Sequence, residues 1–257
     1  MNDLKLFFKT LNHYFDKIYV ITLKRANERH AHIQRELKGL HYELFFGVDK
    51  QELDIEELKR KGIYDEALAI QYHRYAKPLA PGMIGCSWSH RNVYDDILKN
   101  GIKKALILED DVFVDKNQTH LLHRVLQQLP KDWELVYFGY ARHEKPQAFA
   151  LKKAAYFVQR FLGRHKFSYT TIKNLYPKKL TENVYSAGYH DQTHAYAVSL
   201  SGAQKLKHLQ QPITYIADNL LAHAATNQLV KACIVRPRFF YQLSQGETKM
   251  VDTYIDD

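Results

Sequence analysis

The segment Lys104-Ala105-Leu106-Ile107-Leu108-Glu109-Asp110-Asp111 decides how this chain is expected to fold. An apolar run of this length, closed by polar residues, is typical of a strand buried inside a sheet. Successive side chains of a strand alternate between its faces and rise by about 3.3 Å per residue. Glu109 and Asp111 are therefore expected on one face, about 6.6 Å apart along the strand, with Asp110 on the other.

The three adjacent carboxylates repel one another, which disfavours their placement at the end of an apolar strand. A divalent cation that also binds a diphosphate relieves this repulsion, because hard cations bind both carboxylate and phosphate oxygens. On spacing alone, a solvated acidic turn explains the triplet equally well. Paired carboxylates are also typical of a glycosidase, which needs no basic site for a nucleotide.

Strand and helix patterns alternate on both sides of this segment. Strands are predicted at residues 17–23, 42–48, 104–108, 134–139 and 193–198 and after 233, and helices at about 29–37, 54–70 with a break at Gly62, 117–129, 201–209 and from 219. A strand, helix, strand order opens a parallel sheet, so an α/β fold is predicted. The length of 257 residues suits a single domain, 1–257, with a basic insertion at about 144–182.

The composition is that of an ordinary globular protein, with 46% hydrophobic and 25% charged residues. The two cysteines, Cys86 and Cys233, form neither a metal-ligand spacing nor a disulfide framework. The amino terminus carries an early acid and no long apolar stretch, which argues against a signal peptide, and no apolar run is long enough to span a bilayer. A cytoplasmic location is therefore expected.

Residues 85–90, Gly-Cys-Ser-Trp-Ser-His, follow a loop that contains several prolines and glycines. Ser87 or Ser89 is predicted to cap a helix that ends near Gly101. The free backbone N–H groups of a helix start suit a phosphate, and His90 is placed to donate to a phosphate or sugar oxygen. The alternative is a serine cap beside a packed tryptophan.

Polar residues follow two other predicted strands. Arg25 and Arg29 come just after residues 17–23, where ligands bind in open α/β sheets, and they suit a nucleotide diphosphate. Asp218 follows an apolar stretch and is predicted either to act as a general base or to cap the helix that begins near Asn219. His194 fits a packed strand histidine better than a ligand.

The net charge of +9 points to a polyanionic partner, such as nucleic acid, an anionic membrane or a phosphorylated saccharide. Lysines, arginines and aromatic residues concentrate between Glu144 and Glu182. Apolar residues recur at helical spacing from Phe149 to Leu162, which is typical of an interfacial helix but also of a solvated helix packed over a sheet. A basic nucleic-acid- or membrane-binding protein without catalysis is the alternative function, although no standard nucleic-acid motif is present.

Taken in order, these motifs resemble glycosyltransferase family 25, which includes bacterial lipooligosaccharide galactosyl- and glucosyltransferases and has relatives among collagen galactosyltransferases. The resemblance runs from about Ile18 to Asp218. The motifs that carry it are residues 18–23 with Arg25 and Arg29, Val48-Asp49, Gly85-Cys86 with Ser89-His90, residues 106–111, 133–137, 195–199 with Gly202-Ala203, and 212–218.

The resemblance implies a GT-A type fold, with a Rossmann-like central mixed sheet flanked by helices. It also implies a UDP-hexose donor (galactose or glucose), Mn²⁺ or Mg²⁺, inversion at the anomeric carbon, and a lipooligosaccharide or lipopolysaccharide core acceptor met at the anionic inner membrane surface, with no nucleic acid partner. Asp111 would be the principal metal ligand, helped by Glu109, and Asp218 the catalytic base. The positions expected to bind the nucleotide sugar are Thr22, Arg25, Arg29, Asp49, Ser89, His90, Glu109 and Asp110.

Overall fold

The computed structural model of the protein describes residues 2–73, 76–142, 150–164 and 166–243. Within these ranges the strands are β1 (Lys17–Thr22), β2 (Glu43–Phe46), β3 (Lys104–Glu109), β4 (Val112–Val114), β5 (Leu135–Ala141), β6 (Lys178–Lys179), β7 (Val184–Ser186), β8 (Asp191–Ser199), β9 (Ala232–Val235) and β10 (Phe240–Gln242). The α-helices are α1 (Asn2–Tyr14), α2 (Asn27–Glu36), α3 (Ile55–Arg60), α4 (Glu66–Tyr72), α5 (Pro81–Asn100), α6 (Leu122–Gln128), α7 (Ala150–Phe161), α8 (Tyr169–Lys173), α9 (Leu200–Leu209) and α10 (Ala217–Thr226).

Eight strands form one mixed sheet, in the order β2-β1-β3-β8-β5-β9-β7-β6. Strands β2, β1 and β3 are parallel, and so are β5 and β9, whereas β8 lies antiparallel between β3 and β5. The carboxyl ends of β1, β3 and β5 therefore meet at the same edge, beside the amino end of β8. In open α/β sheets this edge is where ligands bind.

Helices cover both faces of the sheet. On one face, apolar side chains of α1, α2 and α6 pack against β3 and β5, including Phe7, Leu11, Ile33, Val125, Leu106 and Phe138. On the other face, α5, α9 and α10 pack against β3, β5 and β8, through Tyr94, Ile97, Leu206, Leu221, Ile107 and Tyr137. A fully buried aliphatic or phenyl side chain contributes about 1.5–3 kcal/mol, so these two layers stabilise the sheet. The predicted α/β class, with a central mixed sheet flanked by helices, is confirmed.

A small second sheet closes over the edge where β3 ends. Strand β4 follows β3 after a two-residue turn and pairs antiparallel with β10, with Phe113 opposite Tyr241. The backbone N–H of Leu243 donates to the carbonyl of Asp111 at 2.9 Å. The carboxyl-terminal part of the described chain therefore lies directly against Glu109, Asp110 and Asp111, which we call the acidic segment.

The prediction that a helix begins at Ser87 or Ser89 is wrong. Helix α5 begins at Pro81, so residues 85–90 lie in its second and third turns and offer no free backbone N–H groups to a phosphate. Proline is favoured in the first turn of a helix, because its fixed φ suits the helix and its missing N–H is not needed there. Gly85 is required for a tertiary reason, since a Cβ there would lie 2.7 Å from the carbonyl oxygen of Val48.

Other boundaries also differ from the prediction. Asp218 does not cap α10, because Ile216 holds the N-cap position and Asp218 lies in the first turn. The helix predicted at 117–129 is a 3₁₀ turn (Thr119–Leu121) followed by α6. The segment before β1 forms α1, and the tail from about Cys233, as far as it is described, holds two strands where one was predicted.

The basic segment at about 144–182 contributes α7, α8 and β6 to the described structure, and β6 extends the central sheet through β7. Residues 143–149 and 165 lie outside the described residues, so the predicted start of the apolar helix at Phe149 lies outside them too. None of the helices in the described part of the chain combines the length and the apolar character needed to cross a membrane.

Candidate functional site

The acidic segment turns its carboxylates in two directions. Glu109 is the last residue of β3, whereas Asp110 and Asp111 form the turn that leads to β4. The side-chain amide of Gln242 donates to Glu109 at 3.2 Å and to Asp111 at 3.1 Å. Glu109 and Asp111 therefore both face the amide of Gln242. They were predicted on one face of a strand, whereas Asp111 lies in the turn after β3.

Asp110 faces the end of β1 and the start of α2. Its two carboxylate oxygens accept from the hydroxyl of Thr22 at 2.6 Å and from the guanidinium of Arg29 at 2.7 Å. Arg29 also lies 4.0 Å from Asp111, and all three charged side chains are nearly buried. The cation of Arg29 thus compensates part of the repulsion among the carboxylates.

Glu109 ends a chain of buried hydrogen-bonding groups. The Nε2 atom of His90 lies 3.4 Å from Glu109, its Nδ1 atom lies 2.7 Å from the Tyr196 hydroxyl, and that hydroxyl lies 2.9 Å from the hydroxyl of Tyr94. Every group is satisfied when Tyr94 donates to Tyr196, Tyr196 to His90, and Nε2–H of His90 points to Glu109. Thr193 donates a further hydrogen bond to Glu109 at 2.6 Å.

This chain of groups keeps Glu109 ionised. Burial is the largest influence and by itself raises the pKa of Glu109. The hydrogen bonds from His90 and Thr193 outweigh it and hold the pKa of Glu109 below its ordinary value. A buried anion is thus available at the end of β3.

A cavity of about 90 Å³ opens at this edge of the sheet, and the acidic segment forms its floor. Of the positions predicted from the sequence, it is lined by Thr22, Arg29, Ser89, His90, Glu109, Asp110 and Asp111. We refer to it as the metal cavity. Arg25 and Asp49 do not line it, and their side chains pair with each other. Asp49 lies between the lining residues Val48 and Lys50, in the segment 47–50 that we call the entrance loop.

Ser89 holds a loop that forms part of the wall of the metal cavity. Its hydroxyl donates to the carbonyl of Gly85 at 2.6 Å and accepts from the backbone N–H of Val48 at 2.8 Å. A Cβ at Gly47 would lie 2.5 Å from this hydroxyl, so the loop approaches α5 as closely as glycine allows. Ser89 and Gly47 therefore fix the loop that carries Val48 and Lys50 along the cavity wall.

A larger cavity of about 480 Å³ adjoins the first one, and we call it the base cavity because Asp218 lines it. The two cavities share Cys86, Glu109 and Gln242. Burial, and next the charge of Asp191, raise the pKa of Asp218 to about 6. The backbone N–H of Gln192 donates to Asp218 at 3.3 Å, which orients the carboxylate toward β8.

Asp191 is itself held at the wall of the base cavity. Arg142 forms an ion pair with it at 3.0 Å. The next residue, Gln192, has a left-handed backbone with φ of 76°, which lets its N–H turn toward Asp218. The two acids therefore differ in environment, since Asp191 has a cationic partner and Asp218 has a raised pKa.

Two sets of side chains in the described structure are able to bind a metal ion. The carboxylates of Glu109 and Asp111 converge on Gln242 and offer hard oxygen atoms. Cys86, His90 and Glu109 place one ligand atom each within 4.8 Å of one another, a softer set. Burial and the nearby carboxylates of Glu109, Asp218 and Asp111 raise the pKa of Cys86 well above its ordinary value, so its thiol is protonated.

Sequence reasoning missed several residues of the site: Cys86 as a lining residue, Asp191, Gln192, Thr193 and Gln242. Strand β8 carries three of them, and the antiparallel pairing that places its amino end beside Glu109 has no signature in the sequence. His194, predicted as a packed strand residue, is buried, and burial lowers its pKa to about 4. It therefore belongs to the core.

The model of glycosyltransferase family 25, described as an LPS biosynthesis protein, matches residues 15–221. Procollagen galactosyltransferase 2 of Mus musculus is 29% identical over 201 residues, which cover 75% of this chain and 27% of that protein. A glycosyltransferase 25 family member of Drosophila melanogaster is 30% identical over 196 residues, which cover 74% of this chain and 27% of that protein.

The matched region of the chain thus spans about a quarter of the length of these relatives. Among solved structures, mouse xyloside xylosyltransferase 1 in its apo form aligns with a TM-score of 0.31 and 14% sequence identity, over 90% of this chain and 72% of that one. The family match extends over most of the sequence and includes the end of β1, the acidic segment and Asp218. The chain therefore belongs to glycosyltransferase family 25.

Proposed function

We propose that this chain is an inverting glycosyltransferase that moves a hexose from a UDP-sugar to a saccharide acceptor. The observation that supports this proposal best is the meeting of the two cavities at Glu109. On one side of this residue, carboxylates converge as metal ligands do, and on the other lies Asp218, whose pKa is raised to about 6. A transferase of this kind needs both functions next to one sugar.

The carboxylates of Glu109 and Asp111 fit a hard divalent cation, Mn²⁺ or Mg²⁺. Both direct an oxygen to the side-chain amide of Gln242, at 3.2 and 3.1 Å, so the point where they converge already favours positive charge. A cation bound there would neutralise the negative charge that develops on the departing UDP. We assign Asp111 as the principal ligand and Glu109 as the second.

The residues at the ends of β1 and β2 would bind the nucleotide end of the donor. Thr22 and Arg29 hold Asp110 in place, and Arg29 also supplies positive charge to the metal cavity. Arg25 and Asp49 pair with each other at the entrance loop, where they would position the nucleotide. His90 orients Glu109, and Ser89 supports the loop that forms the wall.

Asp218 would act as the general base. A carboxylate with a pKa near 6 is ionised at neutral pH, yet it accepts a proton more readily than an ordinary aspartate. It would take the proton of the acceptor hydroxyl as that hydroxyl attacks the anomeric carbon from the side opposite to UDP. The location of Asp218 and Asp111 in adjoining cavities supports this arrangement.

The names of the relatives support a choice among donors and acceptors. The Mus musculus relative is a procollagen galactosyltransferase, which favours galactose over glucose as the hexose. The family description refers to LPS biosynthesis, and on that basis we propose a lipooligosaccharide or lipopolysaccharide core as the acceptor. The enzyme would then work in the cytoplasm, at the inner membrane.

Helix α7 supports peripheral contact with an anionic membrane. Val158 and Phe161 of this helix, and Leu162 directly after it, expose 58%, 82% and 54% of their surface, and the helix also contains Lys153 and Arg160. Apolar side chains next to cations suit an anionic lipid surface. In vesicle co-sedimentation, we expect stronger binding to anionic than to neutral vesicles and a loss on Phe161→Ser, whereas equal binding to both vesicle types contradicts the electrostatic part of the proposal.

The transfer reaction is tested with a panel of UDP-sugars and a lipooligosaccharide core acceptor, with UDP release as the readout. We expect release with UDP-galactose in the presence of Mn²⁺ or Mg²⁺ and none in the presence of a chelator. The variant Asp111→Asn should lose nearly all turnover and bind Mn²⁺ more weakly by electron paramagnetic resonance, with an unchanged circular dichroism spectrum. The matched control is Asp132→Asn, which makes the same charge change at an exposed ion pair far from both cavities.

Wild-type turnover by Asp111→Asn in buffer saturated with Mn²⁺ would remove the metal assignment. Salt-dependent binding of a single-stranded oligonucleotide, without any binding of UDP, would favour a nucleic-acid-binding function over glycosyl transfer. Release of sugar from a glycan in the absence of donor would identify a glycosidase.

A further inference from the structure

A third cavity, of about 440 Å³, opens beside the base cavity, and we call it the aromatic cavity. The two share Tyr189 and Asn219, and the hydroxyl of Tyr189 donates to the side-chain oxygen of Asn219 at 3.0 Å. Asn219 follows Asp218 directly in α10. When an acceptor places its reacting hydroxyl at Asp218, the groups next to that hydroxyl can therefore extend into the aromatic cavity.

The wall of the aromatic cavity contains stacked rings. The rings of Tyr72 and Tyr215 are nearly parallel, with centroids 4.8 Å apart and an interplanar angle of 5°, and His223 stacks on Tyr215 at 4.9 Å. Tyr72 exposes 44% of its surface, so the stack is accessible. Aromatic faces carry negative charge density and favour the C–H groups of a sugar ring.

The aromatic cavity is also cationic. Arg164 and Lys166 line it, and no carboxylate does so among the residues that the structure describes. Lys166 is fixed at the rim, because its ammonium donates to the carbonyl of His73 at 2.8 Å.

The lining of the base cavity is mainly acidic, because it contains the carboxylates of Glu109, Asp191 and Asp218 and, as a lysine, Lys77. An anionic group is repelled there and attracted to Arg164 and Lys166. The two adjoining cavities therefore suit an acceptor with a neutral hydroxyl at one end and a negative charge on the next sugar. This distribution of charge orients such an acceptor in one direction only.

We propose that the aromatic cavity binds an anionic sugar residue of the acceptor, one that bears a phosphate or a carboxylate, next to the residue that receives the hexose. This inference rests on the proposed transferase function and adds the chemical class of its acceptor. Because Tyr215 already stacks on both Tyr72 and His223, the sugar ring would pack on the exposed ring of Tyr72. Its anionic group would pair with Arg164 and Lys166.

Ligand-observed NMR titrations of the full chain, without donor, test the inference with three probes: a hexose 6-phosphate, a hexuronic acid and the neutral hexose. We expect both anionic probes to bind more tightly than the neutral one, with a difference that shrinks as salt is added. Arg164→Gln should weaken the anionic probe that the wild type binds best by about five-fold and leave the neutral hexose unchanged. Tyr72→Ala should weaken all three probes.

The control variant is Lys179→Gln, which makes the same charge change on the exposed strand β6, outside the aromatic cavity. Arg164→Gln is preferred to a change at Lys166, because Lys166 also holds the end of α4. Equal affinity of the wild type for neutral and anionic probes, or an Arg164→Gln variant with unchanged affinity for the phosphate, overturns the inference. Failure of the transferase proposal would appear separately, as absence of UDP release with every donor and acceptor.

Discussion

Gly139 leaves the space that the imidazole of His194 fills, because a Cβ at Gly139 would lie 2.1 Å from the Nε2 atom of His194. The same Cβ would lie 2.8 Å from the carbonyl oxygen of Phe240, so the small sheet formed by β4 and β10 also depends on this glycine. Gly139→Ala should therefore destabilise the protein by about 2–4 kcal/mol through overpacking. Urea denaturation measures this loss.

Gly101→Ala is the matched control for this substitution. Gly101 ends α5 with a φ of 63°, and nothing lies within 4 Å of a Cβ placed there. Its replacement should cost about 1 kcal/mol, from backbone strain alone. If Gly139→Ala lowers the free energy of unfolding by no more than Gly101→Ala does, then β5 and β8 separate easily at this point.

Much of the fold follows from local patterns, and the exceptions have tertiary causes. The apolar runs of β1, β3 and β8 are strand-sized, and the structure forms strands there. The predicted start of helix α5 was wrong because proline and glycine, here Pro81 and Gly85, usually indicate a turn in a sequence. Only the contact between Gly85 and the carbonyl of Val48 explains a glycine inside that helix.

The pKa of Asp218, raised to about 6, sets a lower pH limit for the transfer reaction. As a general base, Asp218 must be ionised, so kcat/KM should be constant above about pH 7 and fall tenfold per pH unit well below 6. Asp218→Asn should lose most of the activity at every pH and show no such inflection. A profile of the wild type that stays flat down to pH 5 would assign the base to another residue.

The raised pKa of Asp218 also means that its ionised form destabilises the folded protein at neutral pH. Its pKa is higher in the folded protein than the ordinary 3.8, so the penalty on the ionised form is full above about pH 6 and shrinks as the pH falls from 6 toward 3.8. Asp218→Asn keeps a hydrogen-bond acceptor for Gln192 and should raise the free energy of unfolding by about 2–3 kcal/mol at pH 7.5. The two proteins should be equally stable at pH 3.5, and urea titrations at both pH values decide the matter.

Tyr196 and Tyr137 face each other across β8 and β5, and both are fully buried. Tyr196→Phe removes the hydroxyl that links His90 to Tyr94 and should cost about 2 kcal/mol, because two buried polar groups lose a partner. The Tyr137 hydroxyl has no hydrogen-bond partner among the described residues. Tyr137→Phe should therefore be neutral or stabilising, and equal losses in guanidinium denaturation would show that the hydroxyl network contributes nothing.

The candidate site was only partly predictable, for a related reason. Glu109, Asp111 and Arg29 could be found because each follows a strand whose end points to the ligand-binding edge of the sheet. Gln242 lies 133 residues from Glu109 in sequence and belongs to no motif. Its place between the two carboxylates follows only from the pairing of β10 with β4, which no local pattern encodes.

Arg29 and Arg25 are neighbours in sequence with different energetic roles. Arg29 forms a nearly buried ion pair with Asp110, whereas Arg25 pairs with Asp49 at the surface and keeps 38% of its side chain exposed. Arg29→Ala leaves a buried carboxylate without this partner and should cost about 3–5 kcal/mol, whereas Arg25→Ala should cost at most about 1 kcal/mol. In the double variant Arg29→Ala/Asp110→Asn, the loss should shrink, because the uncompensated charge is gone while Thr22 keeps an acceptor. Thermal unfolding of the three variants measures these differences, and a double variant less stable than Arg29→Ala alone would show that packing, and not charge, makes Arg29 necessary.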